Sequence, residues 1–389
     1  MNEQLELLSK RYEDLFESKP ERFFSCGGRF EILGNHTDHN HGLCLASACN
    51  LRVIAAVSKT NSKEVRFESL EYDPDEVDLS DLEPKETEYA TSKGLIRGVA
   101  AYLKNHGYKI GGFNAYSETT IFRGAGVSSS AAFELLVGYI FNQLFNNGEI
   151  SKLELCKAGK YAENLYFGKK SGLLDQIGVG FGGVVKIDFS NIEEPEVDQI
   201  VFPFNDLHFL LVNTGGDHSS LSDLYSAIPS DMFEAARIMG HNYLSEGSLE
   251  ELKAHKDNLT ELAYSRSKHF YLENQRVLDA FKAIEEKDEE RFLELINESR
   301  ESSTKLLKNM MVDDQYEGSP LQACDLLLKA ADGEGAVKIN GGGFAGSVIA
   351  LVPTEKLDKV VEKMKKQYGD FNVKELYVRA FGPIEEKDE

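Results

Sequence analysis

Apolar residues change their spacing in blocks along this chain. Residues 1–19 (MNEQLELLSKRYEDLFESK) place them at helical intervals, which predicts an amphipathic helix. Strand-like runs follow at LRVIAAVS (51–58), EVRFESL (64–70) and GGFNAYSET (111–119), with a helix near 92–106. AAFELLVGYIFNQLF (131–145) and the segment from Leu153 to Phe167 predict two more helices. GGVVKIDF (182–189) and LHFLLVNT (207–214) read as buried strands. From about 231 to 332 the pattern is almost wholly helical, and its charge-rich EEKDEERFLELINESRE reads as a solvated helix face plus one turn. Strand, helix and strand return in AVKIN, SVIALVP, a helix over 354–367 and VKELYVRAF. This order predicts an α+β protein of two lobes, residues 1–200 and 201–389, packed directly on each other around a cleft.

Composition narrows the function. Hydrophobic residues make up 41% of the 389 and charged residues 28%, as in a soluble globular protein. No apolar run is long enough to span a membrane, and the N-terminal stretch lacks the apolar core of a secretory signal. The five cysteines (Cys26, Cys44, Cys49, Cys156, Cys324) form no CxxC pair, which fits a cytoplasmic location and counts against a disulfide framework. Lysine and arginine number 43 against 65 aspartate and glutamate residues, a net charge of −22. Such acidity repels nucleic acid and anionic membrane. A phosphate ligand therefore needs a local positive site, built from a helix terminus, a metal ion and a few basic side chains.

Three stretches carry candidate chemistry. In GAGVSSSAAFE (124–134), glycines lead into three serines at the start of a helix. Free N–H groups and a partial positive charge at a helix N-terminus suit an anion, and glycine lets the backbone wrap it. The plain alternative is a serine N-cap after a turn. GxxxxGK[ST] is absent, so this is not a P-loop. KINGGGFAGSVIALV (338–352) is a second glycine-rich stretch. It reads either as a tight turn between a strand and a helix or as a second cradle, closing with the first on one polyphosphate. GRFEILGNHTDHNHG (28–42) is unusually polar for a structural loop. Its histidines lack i, i+4 placement, which argues against zinc.

Together these stretches resemble the GHMP kinase superfamily and, within it, the galactokinases. The galactokinase signature, near GRVNLIGEHTDYNGG, stands here as GRFEILGNHTDHNHG; GxGLSSSAA stands as GAGVSSSAA, and GGGFGG as GGGFAG. An AExxFxGxxxGIMDQ pattern appears as AENLYFGKKSGLLDQIG (162–178), and ENxRVL as ENQRVL. The resemblance implies a fold with an N-terminal domain like ribosomal protein S5 domain 2 and a ferredoxin-like C-terminal domain. It implies transfer of the ATP γ-phosphate to the anomeric hydroxyl of a sugar, D-galactose first, with Mg²⁺.

Residue by residue, the resemblance makes Asp175 the catalytic carboxylate and Arg29 its arginine partner. The phosphate-binding residues are Gly124, Ala125, Gly126, Val127, Ser128, Ser129 and Ser130. Ser130 and Glu163 are the expected metal ligands, with Glu134 as a rival. Asn35, His36, Asp38, Gly172 and Tyr225 are the expected sugar contacts. Asn35 stands where the signature has a glutamate that meets the sugar's hydroxymethyl end, and His39 where it has tyrosine. An amide donates as well as accepts, whereas an ionised carboxylate only accepts. The expectation is weaker galactose binding, or preference for a related sugar such as N-acetylgalactosamine or arabinose. A non-catalytic sugar- and ATP-binding regulator is the remaining alternative, disfavoured because the serine motif is intact. The expected assembly is a monomer or weak homodimer.

Overall fold

A computed structural model of the chain describes residues 3–70, 73–122, 124–215 and 221–387. The first half builds α1 (Glu3–Phe16), β1 (Arg22–Leu33), β2 (Leu43–Lys59), β3 (Glu64–Ser69), β4 (Asp75–Asp78), α2 (Ser92–Asn105) and β5 (Phe113–Thr119). It continues with α3 (Ser129–Phe145), α4 (Lys152–Ala162), α5 (Leu174–Phe181), β6 (Val184–Asp188) and β7 (Glu196–Ile200). The second half runs β8 (Leu207–Asn213), α6 (Ser222–Ile238), α7 (Leu249–Ala254), α8 (Glu261–Glu286), α9 (Glu289–Ser302) and α10 (Pro320–Ala330). It closes with β9 (Ala336–Asn340), β10 (Ser347–Pro353), α11 (Thr354–Tyr368), β11 (Val373–Leu376) and β12 (Ile384–Glu386).

Among the described residues two sheets form. The larger runs β12-β1-β2-β5-β3-β4, with β6 and β7 branching from β2. Helices α2, α3, α4 and α5 cover its inner face, because their apolar stripes (Leu95, Ile96, Val99; Leu135, Leu136, Ile140; Ile177, Val179) share one core with β1 and β2. The smaller sheet, β11-β8-β10-β9, is wholly antiparallel. Taken in chain order its strands read 4-1-3-2, the ferredoxin-like arrangement, with α6 to α10 as one very long crossover. The expected two-lobed α+β fold is the one observed.

The charge-rich segment is the expected solvated helix face plus one turn: α8's end, a left-handed Lys287, and α9, which buries Phe292, Leu295 and Ile296 under its charged face. Elsewhere the structure adds detail to the sequence reading. VKELYVRAF holds strand geometry only over β11; beyond it Tyr377 bonds Asn50 and Val378 bridges Cys49. A division at residue 200 follows the two sheets except at β12, which crosses back to pair with β1 (Phe23 with Glu386, Ser25 with Ile384). Nor do the lobes keep separate cores. Val277, Ile284 and Phe292 of the helical segment and Ile349 of β10 lie in the same apolar cluster as Cys44 and Leu45 of β2.

Candidate active site

Strand β1 slips register against β2 at Gly28 and again at Ile32. Such bulges bend a strand and re-aim its side chains. At Gly28 a Cβ would lie 2.4 Å from the Val127 carbonyl oxygen, so only glycine lets β1 run against the serine loop. Arg29 follows and is nearly buried. Its Nε and Nη2 donate to Asp175 Oδ1 at 2.9 and 2.6 Å, and its Nη1 donates to the Gly126 carbonyl at 2.9 Å. One guanidinium thus ties β1, the serine loop and the first turn of α5 together. Burial pushes the Asp175 carboxyl up, but the charges of Arg29 and Lys169 and hydrogen bonds from Ser128 and Arg29 outweigh it, holding it below the usual aspartate value. Asp175 is a carboxylate at neutral pH.

The serine loop is built to leave amides open. Gly124 and Gly126 have positive φ (82° and 71°), and Ser128 is left-handed at 57°. Ala125 and Val127 sink into the core and anchor the loop. Ser128 occupies the N-cap of α3 without making a side-chain cap; its hydroxyl instead helps to lower the Asp175 carboxyl. The simple serine N-cap is therefore not what this loop forms. Helix geometry leaves the amides of Ser129, Ser130 and Ala131 without intrahelical acceptors.

Ser130 Oγ donates to Glu163 Oε1 at 2.9 Å. Glu163 is fully buried and starts a π turn (Glu163–Phe167) that ends α4. Such turns recur at functional sites. Its carboxylate also accepts from Lys169 Nζ (2.8 Å), Ser171 Oγ (2.5 Å) and Gln176 Nε2 (3.0 Å). A hydroxyl and a carboxylate beside a phosphate cradle are hard oxygen donors and fit Mg²⁺, which takes its other ligands from water and phosphate. Glu134 lies deeper, one turn beyond Ser130 on the same helix face, and meets Glu163 only through the Gln176 amide. Burial, then the neighbouring Glu163 charge, push its carboxyl well up. Ser130 meets Glu163 directly and reaches Glu134 only at one further remove, through Gln176, so the geometry favours Glu163 over its rival.

On the sugar side the expected residues fall into two groups. Asp38 lies against Gly172, where a Cβ would stand 3.2 Å from Asp38 Oδ2. Burial, then the charge of Glu31, raise the Asp38 carboxyl to about 6. His36 is left-handed (φ 59°) and its Nε2 bonds the Gly342 carbonyl at 2.9 Å. Tyr225 donates to the Gly343 carbonyl at 2.6 Å and packs on Phe344. Residues 216–220 of the stretch leading to Tyr225 lie outside the described residues. Asn35 is buried and heavily engaged: Nδ2 donates to Glu31 Oε1 (3.1 Å) and the Gly341 carbonyl (2.7 Å), while Oδ1 accepts from Asn309 (2.8 Å).

The second glycine stretch is a hairpin between β9 and β10, not a strand-to-helix turn. Its carbonyls at Gly341, Gly342 and Gly343 accept from Asn35, His36 and Tyr225. Carbonyl oxygens repel phosphate, and these three tie the loop to the expected sugar-contact residues. It does reach the first cradle at one point, where Asn340 Nδ2 donates to the Gly126 carbonyl at 3.0 Å.

Several site residues escape the sequence reading. Lys169 faces Glu163. Lys338 pairs with Glu31 at 3.0 Å, both buried. Glu273 and Asn274, inside ENQRVL, accept from the backbone N–H groups of Gly34 and Leu43 and fix both ends of the polar loop. Only the last pair had a sequence signal, the ENQRVL similarity itself.

Comparison with known proteins agrees with this geometry. A family model described as the galactokinase galactose-binding signature matches residues 10–59, the GHMP kinases N terminal domain matches 94–183, and the GHMP kinases C terminal matches 280–370. A galactokinase of Limosilactobacillus fermentum is 30% identical over 384 residues, covering 95% of each chain. One of Staphylococcus saprophyticus is 29% identical over 375 residues, 94% of this chain and 95% of the relative. The crystal structure of Lactococcus lactis galactokinase complexed with galactose superposes with a TM-score of 0.83 at 26% identity, over 98% of this chain and 99% of that one.

Proposed function

The chain belongs to the galactokinase family of GHMP kinases, and from that premise we propose that it uses ATP to convert D-galactose to galactose 1-phosphate. The sugar's anomeric hydroxyl oxygen attacks the γ-phosphorus, its O–P bond forms as the bond to the β–γ bridging oxygen breaks, and ADP leaves with that electron pair. Asp175 takes the hydroxyl proton. Because Arg29 holds it below the usual aspartate range, it is a weak base, suited to accept the proton late, as the oxygen becomes acidic on bonding phosphorus. That timing fits the loose transition state of phosphoryl transfer. The open amides of α3 receive the phosphates. Ser130 and Glu163 would hold Mg²⁺, which when bound neutralises phosphate oxygens. Asp38, His36 and Tyr225 orient the sugar.

The observation that carries this reading is the Arg29 bridge, which puts an ionised carboxylate beside an open helix N-terminus. The test is ADP release with free monosaccharides, with Mg²⁺ present and then chelated. Galactose-dependent release that stops on chelation is expected; no release with any sugar overturns the proposal.

Asn35 favours a second reading, a related sugar. Both amide hydrogens are spent on protein acceptors, so toward a substrate it offers only an acceptor, and a neutral one. Efficiencies on galactose, 6-deoxygalactose and N-acetylgalactosamine separate the two readings. A large preference for galactose, unchanged in Asn35→Glu, ends the second.

A further inference from the structure

We propose that Lys169 is a phosphate-contacting catalytic cation that meets the transferred γ-phosphoryl group. This rests on the kinase reading above. The position has no counterpart in the signature residues; it is one of the unspecified places in AExxFxGxxxG.

The lysine is built into place. Its backbone N–H donates to the Glu163 carbonyl at 3.0 Å and its Nζ to Glu163 Oε1 at 2.8 Å, so both ends are referred to one residue. The loop after it is pinned by Ser171, whose N–H donates to Asn164 Oδ1 (2.7 Å) and whose hydroxyl donates to Glu163 Oε2. Glu163 Oε1 also accepts from Ser130 Oγ, so hydroxyl and ammonium are neighbours across a single oxygen at the mouth of the phosphate cradle.

Charge and access favour this lysine over the arginine. Asp175, Asp38 and Glu163 crowd the site with carboxylates in a chain already at −22. Among the described residues Arg29 is the second cation there, but it already donates to Asp175 through two nitrogens and to the Gly126 carbonyl through a third, and its side chain is 9% exposed. The Lys169 side chain is 54% exposed, and one of its three ammonium hydrogens is committed to Glu163. A positioned cation aimed at charge that develops on the phosphoryl oxygens is what this transfer requires.

The test compares Lys169→Met, Lys169→Gln and Lys169→Arg with the parent. Calorimetry with ADP and with a non-hydrolysable ATP analogue, each with and without metal, reads the γ-phosphate alone. The expected result is an analogue affinity reduced about tenfold or more in the Met and Gln variants, with ADP affinity and thermal midpoint unchanged. Turnover falls roughly 10²–10³-fold, and Lys169→Arg recovers part of both. Equal losses for ADP and analogue, or no loss, overturn the proposal. So does tighter Mn²⁺ binding, read by electron paramagnetic resonance, without weaker analogue binding; Lys169 would then only fill the metal's place. If the parent itself releases no ADP with any sugar, the kinase reading fails. If it does, Lys169 stands or falls separately.

Discussion

Around Asp175 charge dominates, and among the described residues the groups that hold its carboxylate, Arg29, Lys169 and the Ser128 hydroxyl, come from the first lobe. Around Asn35 the side chains are tied by amides, carbonyls and one buried ion pair, and the ties cross between lobes: Glu31 to Lys338, Asn35 to Gly341 and Asn309, His36 to Gly342. The first region stays polarised and partly open, with Asp175 and Lys169 both in reach of solvent. In the second, Asn35 is 1% exposed, Asn309 0% and Lys338 1%. One region is arranged to act on charge, the other to hold two halves of a protein in register. Damage should therefore appear as lost turnover in the first and lost stability in the second.

Asp175→Ala offers the widest break: turnover should fall 10²–10⁴-fold, while calorimetry still detects galactose and nucleotide. A variant retaining a tenth of parental turnover would remove Asp175 from the chemistry. Arg29→Lys should cost somewhat less, because a point charge cannot span Asp175 and the Gly126 carbonyl together. The sign of its pH effect is fixed. Weakening Arg29's pull raises the Asp175 pKa, so the acidic limb of kcat should move to higher pH. In the second region, Glu31→Gln leaves Lys338 buried beside a neutral group, which should cost about 3 kcal/mol of unfolding free energy; denaturant melts read it. Restoring neutrality with Glu31→Gln plus Lys338→Met should recover much of that loss. A stable single variant would mean the pair does not latch the lobes.

Two smaller effects sharpen the contrast. With the Asp38 carboxyl near 6, its ionised form prevails above that pH and is lost below. Galactose KM should rise several-fold between pH 7 and 5, with the ATP KM little changed. Glu134→Gln should change metal binding far less than Glu163→Gln, since Glu134 touches the Ser130–Glu163 pair only through the Gln176 amide. A strong drop in Mn²⁺ affinity there would return Glu134 to the metal site.

Much of the first region was legible in the sequence. Arg29, the serine loop and Asp175 sit in short motifs whose glycines reflect real backbone needs, such as the Gly28 approach to Val127. The helices were legible because their apolar stripes face one core. The second region was not. Glu31 and Lys338 are 307 positions apart, and no periodicity links a charged residue in an apolar strand to its partner. Asn35 was read as a sugar contact because it stands at the place of the signature glutamate; that its amide also ties Glu31, Gly341 and Asn309 together had no signal in the sequence. Lys169 was hidden differently, as an ordinary lysine in a polar loop, and only the π turn beneath it reveals where it points.

Strand β12 has a consequence for how the protein comes together. It covers the outer edge of β1, with Arg22 clasping Glu385 and Ser25 bonding Glu386 across 363 and 361 positions of chain. The first residues of the strand that carries Arg29, Phe23 to Ser25, thus keep one flank unpaired until residues 384–386 have been made. Such distant pairings are slow to form, and bare strand edges recruit other chains. Removing residues 384–386 should therefore leave the chemistry's residues in place yet yield a chain prone to aggregate while it is being produced.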